Sequence, residues 1–151
     1  MKNKGEILAA ILRNYKDCCF FLHNTKDLKV AQIIMNEGFI FENQLSHSTD
    51  RVDPEESIEI TYFLLQRKDY GAYTIVIAMH NDVYDSYIEQ SEKINRPLED
   101  VLTTSEPYLS DNDELIYRLS GKHVLGCFNN IDSEFLFNSQ WDAAYCKTFT
   151  D

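Results

Sequence analysis

Apolar residues recur along the chain with two different spacings, and each spacing predicts a different kind of element. Over 5–16 they return every three or four positions, which is typical of an amphipathic helix. The runs at 18–22 and 73–79 are instead continuously apolar and rich in aromatic or β-branched residues. They predict buried strands, and the second run, apolar on both faces, is expected at the centre of a sheet.

The segment after the first predicted strand has the signals of a capped helix. Thr25 or Asp27 can accept a hydrogen bond at its start, and Gly38 can adopt the left-handed conformation at its exit. A short strand through Phe39 and Phe41 should follow. Apolar residues at helical spacing should face the core, namely Leu28, Ala31, Ile34 and Met35.

Two more helices are predicted further along the chain. A capping aspartate and a proline at the first helical position predict a helix over roughly 54–68. Another begins at Asp82 and is ended by Pro97. Its expected core-facing residues are Val83, Tyr84, Tyr87 and Ile88.

The remaining segments predict loops and late strands. Segments 46–54 and 98–113 have a loop-like composition, and the second is the least periodic part of the chain. Short strands are expected at 114–119, 123–128 and 134–137. No internal repeat or low-complexity tract marks a domain boundary. The order of elements predicts one α+β domain over 1–151, in which helices pack against a mixed or antiparallel sheet.

The charge of the chain limits its partners. It carries 14 Lys and Arg against 25 Asp and Glu, a net charge of −11. Such a surface repels nucleic-acid phosphates and anionic lipids, so we expect no direct nucleic-acid or membrane binding, and a protein partner would have a basic surface. No segment is apolar for long enough to cross a membrane, and no signal peptide is evident. We therefore expect a cytoplasmic protein.

Familiar catalytic and metal-binding motifs are absent. Glycine loops that bind nucleotides, HExxH and GxSxG do not occur. The cysteines are not spaced as zinc ligands and are expected to be reduced; they are Cys18, Cys19, Cys127 and Cys146. The histidines also lie far apart, at His23, His47, His80 and His123. No metal is expected.

His23 is the residue that the pattern singles out. It follows the first predicted strand and precedes the cap of the next helix. Side chains at such a strand end, near the amides of a helix N-terminus, often hold anionic or hydroxyl-rich ligands. A histidine here can equally donate from its ring to a backbone carbonyl and close the turn. The sequence leaves both interpretations open.

The order of these features resembles the ADP-ribosyltransferase-like superfamily. The resemblance covers about 18–128 and rests on HNT after the first strand, a helix ending in NEGF, the segment SHSTD, a central strand and NDELIYRL. It implies an NAD site built from a strand-end histidine, a mid-chain Ser-Thr element and a late-strand glutamate. The chain departs from the family pattern at Asn112, which stands where the family has Gln or Glu, and in lacking a clear tyrosine pair after STD.

The resemblance implies a role for particular residues. Glu114 would be the catalytic carboxylate, because a carboxylate beside the ribose can stabilise the positive charge that develops as the bond to nicotinamide breaks. An aromatic ring, Tyr62 or Tyr70, would stack on the nicotinamide. NAD is the expected cofactor, and its other contacts would be His23, Thr25, Ser48 and Thr49.

Two other classes of function stay open. A small acidic inhibitor, immunity protein, anti-defence protein or adaptor would bind a basic partner through exposed aromatics of EPYLSDND, 106–113. A ligand-binding domain, or a relative that has lost catalysis, would keep the nucleotide pocket with Glu114 dispensable for binding. The enzyme instead requires His23, Thr49 and Glu114 to meet in one concave pocket.

Overall fold

A computed structural model describes residues 10–52, 71–103, 106–132 and 134–141, and the structural statements below concern these ranges. Within the first predicted helix, residues 10–13 are helical. Its first residues and the whole helix predicted over 54–68 lie outside the described residues.

The two continuously apolar runs form the middle of an antiparallel sheet. Strands β1 (Cys18–Thr25) and β4 (Tyr73–His80) pair along their whole length. The complete sheet has the order β3-β1-β4-β7-β8, where β3 is Asp50–Val52, β7 is Val124–Asn129 and β8 is Phe135–Phe137. The prediction that 73–79 is a central strand is therefore confirmed.

A second, smaller sheet is also antiparallel. Its order is β2-β6-β5, where β2 is Phe39–Glu42, β5 is Tyr108–Leu109 and β6 is Leu115–Leu119. On its inner face the rings of Phe41 and Tyr117 stack at 5.5 Å. Both sheets and the helices belong to one small α+β domain, so the predicted fold class is confirmed.

Both faces of the larger sheet are buried. Along β1, Cys19 and Phe21 point into one apolar core, and Phe20 and Leu22 point into another on the opposite face. This is the expected consequence of a period of two in a strand that lies between two layers. The first core is covered by helices and by the smaller sheet.

Of the four described helices, the two longer ones have a side-chain cap at their first turn. The four helices are α1 (Leu28–Glu37), α2 (Leu45–Ser48), α3 (Asn81–Ile94) and α4 (Leu98–Leu102), with a 3-10 turn at Gly121–His123. Asp27, rather than Thr25, caps α1 by accepting from the Lys29 N–H at 2.8 Å. Gly38 ends this helix with φ 107°, a backbone conformation that glycine adopts without strain. Ala31, Ile34 and Met35 are buried as predicted, whereas Leu28 is 38 % exposed.

Some boundaries differ from the prediction. His80, not Asp82, caps α3, and the helix ends at Ile94 because Asn95 turns left-handed with φ 54°. Pro97 instead directly precedes α4, without a side-chain capping hydrogen bond. Of the expected core residues of α3, Val83 and Tyr87 are buried, and the other two are only partly buried.

Both predicted loops contain regular structure. Segment 46–54 contains most of α2 and all of β3, and segment 98–113 contains α4 and β5. These elements are short and bury few side chains, such as Leu45 and Val52, and both residues of β5 are exposed. Their stability comes from pairing and packing with distant strands, which a local apolar pattern does not reveal. None of the described helices has both the length and the apolar character of a membrane-spanning helix.

Candidate functional site

A cavity of about 400 Å³ lies where β1 separates from β3. The two strands pair as far as Leu22 and Asp50, and the chain before Asp50 then turns away as α2. The residues that line the cavity are Leu22, His23, Asn24, Ser46, His47, Ser48, Thr49 and Asp50. The structure thus brings together three of the side chains predicted to bind a cofactor, His23, Ser48 and Thr49.

A hydrogen bond fixes the ring of His23. Its Nδ1 lies 2.7 Å from the carbonyl oxygen of Ser48, and because a carbonyl oxygen only accepts, Nδ1 must carry the hydrogen. In the neutral ring Nε2 is then an acceptor. The ring also packs against Phe39, with centroids 4.7 Å apart. His23 therefore connects the end of β1 to the last residue of α2, 25 positions away in the chain, and it lines the cavity as well.

The short helix α2 supplies the opposite wall. The Thr49 hydroxyl donates to the Leu45 carbonyl at 2.8 Å, which satisfies a carbonyl in the last turn. Across the described ranges, no protein group hydrogen-bonds to the Ser48 hydroxyl, the His47 ring or Nε2 of His23. These polar groups remain available to a molecule that enters the cavity.

Asn24 is a lining residue that sequence reasoning missed. Its Oδ1 accepts from the Thr74 hydroxyl at 2.6 Å, and the Thr74 oxygen accepts from Nδ2 of Asn130 at 3.0 Å. Thr74 and Asn130 are 1 % and 7 % exposed. The available signal in the sequence was that Thr74 and Asn130 are polar residues at positions otherwise suited to the core. Buried polar groups need hydrogen-bond partners, and Asn24 is the partner of Thr74.

The other predicted cofactor contacts lie elsewhere or outside the described residues. Thr25 follows Asn24 as the last residue of β1 and pairs with Tyr73, but it is not one of the residues that line the cavity. Its carbonyl lies so close to Gly71 that a Cβ there would overlap it. Tyr62 and Tyr70 lie outside the described residues, so stacking on nicotinamide stays a prediction.

Glu114 lies in the turn that leads from β5 into β6. Its N–H donates to Oγ of Ser110 at 3.2 Å, and its carbonyl accepts from the Ser110 N–H at 2.8 Å. Its carboxyl interacts with that of Glu42 and raises the pKa of Glu42. Glu114 is not among the described residues that line the cavity. Its catalytic role stays a prediction.

The chemistry of the lining favours uncharged polar ligands. Hydroxyls, an amide, imidazoles and the carboxylate of Asp50 are present, but no described lining residue is Lys or Arg. Phosphate groups are usually held by cationic side chains or by arrays of backbone N–H groups. In the described ranges, no three His, Cys, Asp or Glu side chains are grouped as a metal site requires.

Comparison with protein-family models, with curated proteins and with solved structures found no match.

Proposed function

We propose that the chain binds a nucleotide such as NAD through its ribose hydroxyls in the cavity between β1 and α2, without transferring the ribosyl group. The observation that carries the proposal is the hydrogen bond from Nδ1 of His23 to the Ser48 carbonyl, 2.7 Å long. It leaves an acceptor nitrogen on a ring that lines a cavity of about 400 Å³. This volume falls in the range of small-molecule sites, roughly 300–1,000 Å³.

The ribose fits the donors and acceptors of the lining. A ribose hydroxyl can donate to Nε2 of His23, and a neighbouring hydroxyl can exchange hydrogen bonds with the Ser48 side chain. The diphosphate would extend into solvent, since the described lining offers it no Lys or Arg. Adenosine should therefore retain much of the affinity of a full dinucleotide.

The proposal excludes transfer by Glu114, because Glu114 does not line the cavity, where the described carboxylate is that of Asp50. Transfer requires a carboxylate beside the ribose, where it stabilises the developing positive charge. Glu114 interacts with Glu42 at the smaller sheet and is not one of the described lining residues. Glu114→Gln should therefore bind nucleotide as the wild type does.

The experiment is a calorimetric and thermal-shift titration with NAD, ADP-ribose, adenosine and nicotinamide. The ligands that contain ribose should stabilise the wild type, because a ligand that binds only the folded state raises its melting temperature. His23→Ala should weaken binding about 10-fold, the loss expected for about 1.4 kcal/mol. Glu114→Gln is the matched control with unchanged affinity. No saturable binding at millimolar concentrations would overturn the proposal.

A second candidate function, binding to a basic protein, is favoured by the surface of β5. Tyr108 and Leu109 are 57 % and 63 % exposed. The exposed acids Glu106, Asp111 and Asp113 flank them in the chain. An apolar centre with an acidic rim is suited to a partner that has an apolar pocket and basic surroundings.

This candidate is tested by affinity capture followed by a quantitative titration with the purified partner. The double variant Tyr108→Ser with Leu109→Ser should lose binding, and binding to the wild type should weaken as salt is added. Ile94→Ser is the matched control, because Ile94 is 54 % exposed on α3. Equal binding by the double variant would exclude β5 as the contact surface.

A further inference from the structure

Among the described residues, the side-chain amide of Asn24 is hydrogen-bonded through its oxygen but not through its nitrogen. Its Oδ1 accepts from the Thr74 hydroxyl at 2.6 Å. Its Nδ2 has no hydrogen-bond partner among the described residues, and Asn24 lines the cavity. A primary amide carries two N–H donors, so Asn24 can offer donors where His23 offers an acceptor.

The orientation of this amide is determined by a buried chain of hydrogen bonds. Asn130 is anchored by its N–H to the Ala72 carbonyl at 2.7 Å and by Nδ2 to the Gly71 carbonyl at 3.2 Å. Nδ2 also donates to the Thr74 oxygen at 3.0 Å.

The Thr74 hydroxyl still has its own hydrogen to donate. Oδ1 of Asn24 at 2.6 Å is a closer acceptor than Oδ1 of Asn130 at 3.3 Å. Donation to Asn24 places the amide oxygen of Asn24 toward Thr74 and its nitrogen away from it. Reversing the amide would leave the Thr74 hydroxyl with the longer contact of 3.3 Å to Oδ1 of Asn130 as its acceptor, so the observed orientation gives the shorter hydrogen bond, 2.6 Å.

We propose that Asn24 determines the specificity of the cavity by donating from Nδ2 to an acceptor oxygen of the ligand. Thr74 and Asn130 are positioning residues that act through Asn24. This inference rests on the proposed function, since it concerns the same cavity. It adds that the ligand must present an acceptor oxygen, a hydroxyl or carbonyl, to Asn24 as well as a hydroxyl to His23.

The direct test is Asn24→Asp, titrated with adenosine and with NAD. Aspartate keeps an oxygen for the Thr74 hydroxyl but removes both N–H donors, so the fold should be retained while affinity falls about 10-fold. Adenosine is uncharged, which separates the loss of donors from charge repulsion. Asn36→Asp is the matched control, because it makes the same substitution at an exposed position of α1 that does not line the cavity.

A second pair of variants tests the positioning role. Thr74→Ser keeps the hydroxyl and should bind adenosine as the wild type does, whereas Thr74→Val removes it and should weaken binding several-fold. A structural role alone would lower the melting temperature of Thr74→Val without changing its affinity well below that temperature. Rescue by serine but not valine therefore identifies positioning through the hydroxyl.

The outcomes separate this inference from the proposed function. If the wild type binds adenosine and Asn24→Asp binds it equally well, the role of Asn24 is overturned and the proposed function stands. If Thr74→Val binds as tightly as Thr74→Ser, the positioning role is overturned. If the wild type binds none of the ribose-containing ligands, both proposals are overturned.

Discussion

The carboxyl group of Glu114 lies beside that of Glu42 and raises its pKa. Glu42 ends β2, and the next residue, Asn43, continues the pairing by donating its N–H to the Leu115 carbonyl at 2.8 Å. Two carboxyl groups held this close cannot both ionise without repulsion, which is why the pKa of Glu42 is raised above its ordinary value of 4.5.

This pair predicts how Glu114→Gln changes the pH dependence of stability. The folded state holds the Glu42 proton more tightly than the unfolded state, so the wild type loses stability as pH rises above 4.5 through the raised pKa. Glutamine removes the repulsion. The melting temperature of the variant relative to wild type should therefore be higher at about pH 7.5 than at about pH 4. A difference that does not vary with pH would contradict this assignment.

A second prediction concerns Asn138, which joins three parts of the fold. Its Nδ2 lies 2.9 Å from the Met35 carbonyl, 3.1 Å from that of Gly121 and 2.9 Å from that of Val124. Asn138→Asp would replace this donor group by a buried carboxylate among carbonyl oxygens. We expect a loss of roughly 2–4 kcal/mol in the free energy of unfolding, measured by urea denaturation.

The matched control for Asn138 is Asn36→Asp, at an exposed position of α1. It should change the free energy of unfolding by less than about 0.5 kcal/mol. Equal effects of the two substitutions would show that the contacts of Asn138 contribute little.

The long apolar runs were sufficient to predict the centre of the fold. β1 and β4 bury side chains on both faces, so continuous apolar sequence at 18–22 and 73–79 identifies them without tertiary information. The start of α3 was harder to predict from the sequence, because His80 and Asp82 both have side chains suited to capping. The strand β3 is stabilised by its pairing with β1, which is distant in the sequence, so its own residues do not predict it.

The candidate site was predictable only in part. His23, Ser48 and Thr49 meet because the pairing of β1 with β3 brings α2 beside the end of β1. Asn24 was missed because its orientation depends on contacts between residues that are far apart in the sequence. Asn24 and Thr74 are separated by 50 positions, and Thr74 and Asn130 by 56. Such contacts are a property of the folded sheet, and no local spacing shows them.

Tyr117→Phe should destabilise the fold through a single lost hydrogen bond. The Tyr117 hydroxyl donates to Oδ1 of Asp100 at 2.8 Å, and the side chain is 2 % exposed. Phenylalanine keeps the ring stacked on Phe41 and should cost about 1–2 kcal/mol in the free energy of unfolding. Tyr108→Phe, at an exposed position of β5, is the control with little expected effect.

The same hydroxyl predicts an alkaline pH dependence. Burial and the hydrogen bond to Asp100 raise the pKa of Tyr117 to about 12 from its ordinary value of 10.0. The folded state therefore keeps a proton that the unfolded state loses, and stability should fall as pH rises from 10.0 toward 12. In Tyr117→Phe this contribution to the loss of stability at alkaline pH should be absent. An identical alkaline profile in both proteins would contradict the assignment.

His123 predicts an acid-sensitive step in stability. The residue is 1 % exposed in the 3-10 turn before β7, and burial lowers its pKa to about 4 from 6.5. Between these two pKa values the unfolded state binds a proton that the folded state does not bind. The free energy of unfolding should therefore be highest above pH 6.5 and fall by about 3 kcal/mol as the pH drops toward 4. Urea denaturation across this range measures the step. His123→Leu should reduce it, whereas His47→Gln, at an exposed position, should not. An unchanged step in His123→Leu would assign the acid sensitivity to other groups.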